Sequence, residues 1–192
     1  MARNRVATPR EEKVEELLDV AEELFERSGF AGTSTSQLAK ACGVSERTLF
    51  WYFPSKDHLL VAVARRGVSR LAARLGRKGW PSGDFADDLF RMLKALRAIR
   101  HLLPVMHQRA EVTPFVAAAR AEVRAANHRF IGERLRALGV REDELDDAVV
   151  VVVSFADGVL LRNIGDARLR RLCEFLVARL VGPGPAAKVR RP

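Results

Sequence analysis

Apolar positions along this chain recur mostly at intervals of three and four, the spacing of a helix with one buried face. Val14, Leu17, Leu18, Ala21, Leu24 and Phe25 form one such stripe, and Thr8-Pro9 in front of it suits a first helical turn. The opposite face is a band of glutamates, Glu11, Glu12, Glu15, Glu16, Glu22, Glu23 and Glu26, which reads as a solvated surface rather than a catalytic carboxylate pair. Ser28-Gly29 stops the helix, and Phe30 is expected to plug back into its core. Two shorter patterns follow. In the first, the hydroxyls of Thr33, Ser34 and Thr35 offer cap acceptors ahead of the apolar Leu38, Ala39 and Cys42. Gly43 adopts positive φ without steric cost where the chain must turn, and Ser45 caps the second pattern. That helix carries Leu49, Tyr52 and Phe53 inward and Glu46, Arg47, Thr48 and Trp51 outward, until Pro54 ends it.

Two short helices about a glycine, over residues 34–53, fit both a plain αα-hairpin in a helical bundle and the DNA-binding helix-turn-helix, whose second helix enters the major groove. The second helix is short, aromatic-rich and polar at its tip. Hydroxyls and amides gather at the helix starts, where N–H groups attract phosphate. Both features favour the DNA-binding arrangement.

Farther along, residues 56–78 predict one helix with Leu60, Val63, Gly67, Leu71 and Leu75 inward and Arg65, Arg66, Arg70, Arg74, Arg77 and Lys78 facing solvent. Gly79-Trp80-Pro81-Ser82-Gly83 is a breaker cluster that marks a boundary. Asp84 then caps a helix to about Leu103, which Pro104 is expected to break, and a short segment leads to Val112. Thr113-Pro114 opens a long helix to Leu138, closed by Gly139. Asp143 starts another, through the valines at 149–153 and on to Ile164; a valine run favours strand locally, but its flanks favour helix. Gly165-Asp166 turns into a last helix with Leu169, Leu172, Cys173, Leu176, Val177 and Leu180. The chain is therefore all-α: a disordered arm at 1–9, a helix-turn-helix domain at 10–62, a larger helical domain at 63–182 and a disordered basic tail at 183–192.

Composition adjusts this picture modestly. At 192 residues, 48% apolar and 30% charged, the chain is an ordinary helical protein with enough length for a core. A net charge of +9 suggests a polyanionic partner. Yet residues 1–60 hold 8 Lys/Arg against 10 Asp/Glu, while residues 61–80 hold six basic and no acidic side chains, so local cations matter more than the total. Cys42 and Cys173 lack metal-ligand spacing and read as buried small hydrophobes in a reducing cytoplasm. No signal peptide is visible, and the greasiest run, 148–161, is too short and too charged to cross a membrane. No phosphate-cradling loop, metal-ligand set or Ser-His-Asp set can be placed, which leaves little for an enzyme and implies no cofactor. A helical interaction module without DNA binding remains an alternative.

The order Ala21-x-x-Leu24-Phe25, Gly29-Phe30-x-x-Thr33-Ser34, Leu38-Ala39, Gly43-Val44-Ser45-x-x-Thr48-Leu49-Phe50-x-Tyr52-Phe53-Pro54-Ser55-Lys56-Asp57-x-Leu59-Leu60 resembles the TetR family of bacterial transcriptional repressors across roughly residues 10–62. Thr35 stands where an aliphatic residue is usual, Cys42 where alanine is, and Arg47 where glycine or alanine is frequent. The resemblance implies contacts to double-stranded DNA. Ser34, Ser36 and Gln37 would bond phosphates. Ser45, Arg47 and Thr48 would open the recognition helix, with Arg47 reading a guanine edge. Trp51, Tyr52 and Lys56 would reach the backbone. It further implies a homodimer, built through the last two greasy helices, on an inverted-repeat operator. Release by a small, apolar effector is expected through a pocket lined by residues such as Met106, His107, Phe115, Phe130 and Phe155. An activator, or a repressor without ligand, would share the fold.

Overall fold

The computed structural model describes residues 9–182, all helix and turn among those residues. In order the helices are α1 (Pro9–Gly32), α2 (Thr35–Ala41), α3 (Glu46–Tyr52), α4 (Lys56–Gly76), α5 (Phe85–Leu96), a 3-10 turn (Arg97–Ile99), α6 (Leu102–Ala110), α7 (Pro114–Ala137), α8 (Leu145–Leu160) and α9 (Asp166–Val181). The expected arm falls outside the described residues except for Pro9, which already belongs to α1, and the expected tail falls wholly outside them.

The chain forms two compact units. The first holds the described residues up to Ser69 together with His101–Arg120; the second holds Arg70–Arg100 and the described residues from Ala121 onward. The sequence places one boundary near residue 62, but α6 and the start of α7 join the first unit. Apolar packing explains part of this: Val61, Val116 and Ala119 bury together, with Met106 and Ala110 against them. In the first unit the stripe of α1 is buried as expected, with Leu17 and Ala21 sealed and Phe25 nearly so. Gly29 breaks α1 with φ 71° and ψ 163°, and Phe30 turns back until its ring lies 5.4 Å from that of Phe25.

In the second unit α5 packs chiefly against α9, burying Phe85, Leu89, Leu93, Leu169 and Cys173. Asp84 caps α5 by accepting from the backbone N–H groups of Ala86 (2.9 Å) and Asp87 (3.2 Å). Burial raises the Cys173 thiol pKa to about 12. Asp88 is also buried, and it is paired: Arg134 donates to one oxygen and the Ser82 N–H to the other, both at 2.7 Å. The valine run is helical, and α8 divides it by face. Val149 and Val152 are buried, while Val150 and Val151 stay exposed.

Three sequence expectations change here. Pro104 does not break a helix. The break precedes it, at the 3-10 turn and the residues up to His101, and Pro104 sits in the first turn of α6, where a missing N–H leaves no helical bond unmade. The helix over the valines stops at Leu160 rather than reaching Ile164. Arg66 does not face solvent. Its side chain is 8% exposed and lies against α1, 3.2 Å from Glu15, 2.8 Å from Asp19 and 2.6 Å from Glu22.

Candidate nucleic-acid interface

The turn between α2 and α3 is fixed from both sides. The Gly43 N–H donates to Lys40 O (3.1 Å) and the Val44 N–H to Ala39 O (3.0 Å), satisfying carbonyls that the end of α2 would leave open. This geometry needs the positive φ of 63° at Gly43, which explains the glycine. Leu38, Ala39 and Leu49 anchor the two helices in the core. Thr35 Oγ1 donates to Glu46 Oε2 at 2.8 Å, so the hydroxyl in place of an aliphatic side chain ties α2 to α3 across the surface.

With α3 held this way, its tip faces outward. Ser45, Glu46, Arg47 and Thr48 are all exposed. Ser45 Oγ accepts the Thr48 N–H at 3.0 Å and shares a hydrogen bond with Thr48 Oγ1 at 2.8 Å. Arg47 makes no hydrogen bond or ion pair among the described residues. Its guanidinium therefore keeps five donors for a ligand. Trp51 is 63% exposed and stands edge-on to Tyr52, which is half-buried, at 4.7 Å between ring centroids.

On α2, Ser34, Ser36 and Gln37 are exposed. Ser34 and Gln37 close a reciprocal capping box: Ser34 Oγ accepts the Gln37 N–H at 3.1 Å, and the Ser34 N–H donates to Gln37 Oε1 at 2.7 Å. The box fixes both side chains and leaves the Ser34 hydroxyl proton and the Gln37 NH₂ available to phosphate.

Lys56 has partners within the first unit. Nζ donates to Phe30 O and Thr33 O, each at 2.9 Å, and lies 4.2 Å from the centroid of the Phe30 ring. Burial depresses its pKa, which the neighbouring Asp57 partly opposes. Two of the three Lys56 N–H donors are thus engaged at the carbonyl end of α1. Asp57 makes a second tie. Arg109 on α6 donates from Nε to Oδ1 (2.8 Å) and from a terminal nitrogen to Oδ2 (2.6 Å), and Thr113 Oγ1 donates to Oδ2 (3.1 Å). Hydrogen bonding from Arg109 holds the Asp57 carboxyl below the ordinary carboxylate range.

The five residues expected to line an effector pocket divide between the two units. Met106 packs into the first unit's core, and Phe115 stacks on His58 at 3.9 Å in the same unit. His107 is exposed on α6. Phe130 lies 5.1 Å from Trp80 in the second unit, and Phe155 is half-buried on α8. Motif reading also missed two cations, Arg10 and Lys13, set three apart at the start of the acidic helix. Lys13 Nζ donates to Cys42 O at 3.1 Å, at the end of α2 where the helix dipole favours a cation.

A short helix with an exposed, polar, partly unpartnered tip, fixed by a glycine turn to the helix before it, is a helix-turn-helix arrangement. Residues 17–63 match the family model described as bacterial regulatory proteins, tetR family. Over that segment the chain is similar to the DNA-binding region of the TetR family of transcriptional regulators. It is 43% identical over 54 residues to the HTH-type transcriptional regulator RutR of Escherichia coli, a stretch covering 28% of this chain and 26% of that one. The match thus spans about a quarter of the length of the curated relatives that align first. It is 27% identical over 170 residues to the HTH-type transcriptional repressor Rv1474c of Mycobacterium tuberculosis, covering 84% of this chain and 87% of that one. The fold is that of a Rhodococcus transcriptional regulator, with TM-score 0.74 and 23% identity over 88% of this chain and 95% of that one. A Saccharomonospora viridis regulator solved in complex with choline is also similar, with TM-score 0.71 and 19% identity over 86% of this chain and 95% of that one. No described helix is long and apolar enough to cross a membrane.

Proposed function

We propose that this regulator is a repressor that binds an inverted-repeat operator as a homodimer and leaves it when a small molecule binds the helical body. The observation that carries the reading is the exposed tip of α3, where Arg47 keeps its whole fork while Ser45 and Thr48 are held beside it by the cap. A fork of this kind matches the O6 and N7 of guanine, so Arg47 reads a base. Ser36, Thr48, Trp51 and Tyr52, with the free donors of Ser34 and Gln37, position the head on phosphates. The repressor M. tuberculosis Rv1474c, similar along most of its length, supports the direction of regulation.

Exposed apolar side chains support the dimer. Val150 (58% exposed), Val151 (45%) and Leu161 (70%) lie on or beside α8, and Phe175 (60%) lies on α9. A second copy covering these faces would remove them from water. Choline bound to the S. viridis regulator supports a small-molecule ligand for a body of this fold. The test is selection of bound sequences from random duplex DNA, with light scattering on the same sample. The expected result is an inverted repeat bound by a dimer. Recovery of no preferred sequence, or a monomer at micromolar concentration, would overturn the reading.

A further inference from the structure

A cation outside the helix-turn-helix motif lies at the edge of the recognition helix. Arg10, in the first turn of α1, places its guanidinium carbon 4.9 Å from the centroid of the Trp51 ring. It is exposed and makes no hydrogen bond or ion pair among the described residues. Stacking on an indole face orients the guanidinium plane but uses none of its five N–H donors. The fork is thus held in place, unsatisfied, beside the exposed aromatic side chain of α3. Trp51 is steadied in turn by its edge-on contact with Tyr52. Glu11 and Glu12 share the first turn with Arg10, so the local field is mixed, and a ligand would have to be held by directed bonds rather than bulk charge.

We propose that Arg10, laid on Trp51, is a DNA-backbone contact: its free donors grip a phosphate flanking the groove entered by α3, and Trp51 is the platform that aims them. This rests on the DNA-binding reading above. It assigns Arg10 to positioning and leaves base recognition with Arg47. Arg10 then adds affinity without sequence information.

The experiment titrates the full-length chain against its selected operator and against a random duplex of equal length, from about 50 to about 200 mM salt. Arg10→Ala is expected to weaken binding to both duplexes by the same factor. It should also reduce the slope of log affinity against log salt by about 0.9 for each head bound, the signature of one lost phosphate contact. Trp51→Ala should cause the same slope loss, and the double variant should lose no more than either single one. Trp51→Phe, which keeps a ring and guards against misfolding, should retain the slope. If Arg10→Ala leaves slope and affinity unchanged while Arg47→Ala abolishes operator preference, the DNA reading stands and the Arg10 assignment fails. If the wild-type chain binds neither duplex, both fail.

Discussion

Replacing Asp57 with asparagine tests how the first unit holds α6. The carboxylate accepts two hydrogen bonds from Arg109, at 2.8 and 2.6 Å, and one from Thr113 at 3.1 Å. Asparagine keeps the shape, removes the charge and turns an NH₂ toward donors that no longer find an acceptor. Breaking a fully buried pair costs roughly 3–5 kcal/mol. The Arg109 side chain is 34% exposed and can rehydrate, which lowers the expected cost to about 1–3 kcal/mol. For a chain of this length that corresponds to a fall in Tm of roughly 2–10 °C. The pH dependence has a definite sign. The folded-state pKa of Asp57 is depressed below its ordinary 3.8, chiefly by Arg109, so its contribution is fully present above that value and is lost as pH falls through the depressed one. Thermal unfolding followed by circular dichroism should therefore show a gap between wild type and Asp57→Asn that is constant from pH 7 to about 5 and narrows on further acidification. Equal Tm values at pH 7, or a gap that widens in acid, would refute the reasoning.

Other perturbations test neighbouring parts. Arg66→Ala leaves Glu15, Asp19 and Glu22 without their shared cation, and thermal melts should report a loss of about 1–3 kcal/mol, partly recovered in Arg66→Met through restored packing. Gly43→Ala should cost about 1–2 kcal/mol through backbone strain alone, because a Cβ there would meet nothing within 4 Å, and Gly43→Asn should cost less, as measured by denaturant unfolding. Cys173, sealed from solvent with its pKa raised to about 12, should resist alkylation at pH 8 in the folded chain and react on unfolding, as mass spectrometry would record.

Most of the head was legible because its determinants are local. Ser34, Gly43, Ser45 and Pro54 each act within a few residues of their own position, so caps, turn and helix ends follow from spacing. Cations were read less well. Arg66 looks like one of a solvated arginine row until α1 brings it three carboxylates, and nothing near Lys56 in the sequence announces the carbonyls of Phe30 and Thr33 that it meets. Asp57 and Arg109 are 52 residues apart, and no pattern in the chain announces their pairing. Pro104 misled for a different reason: a proline excluded from a helix interior is tolerated in its first turn. The aromatic residues of the body advertise apolarity but not which neighbour covers them: Phe115 stacks on His58 and Phe130 lies against Trp80, each far away in the sequence.

The most direct test pairs a protein change with a base change. Affinities of wild type and Arg47→Ala are measured on the selected operator and on one in which the guanine assigned to Arg47 is replaced in each half-site. Arg47→Ala should cost about 1–3 kcal/mol per half-site on the intact operator and almost nothing on the substituted one, since the contact is already gone. An equal loss on both duplexes would mean that the arginine touches only backbone, and that α3 does not read sequence through it.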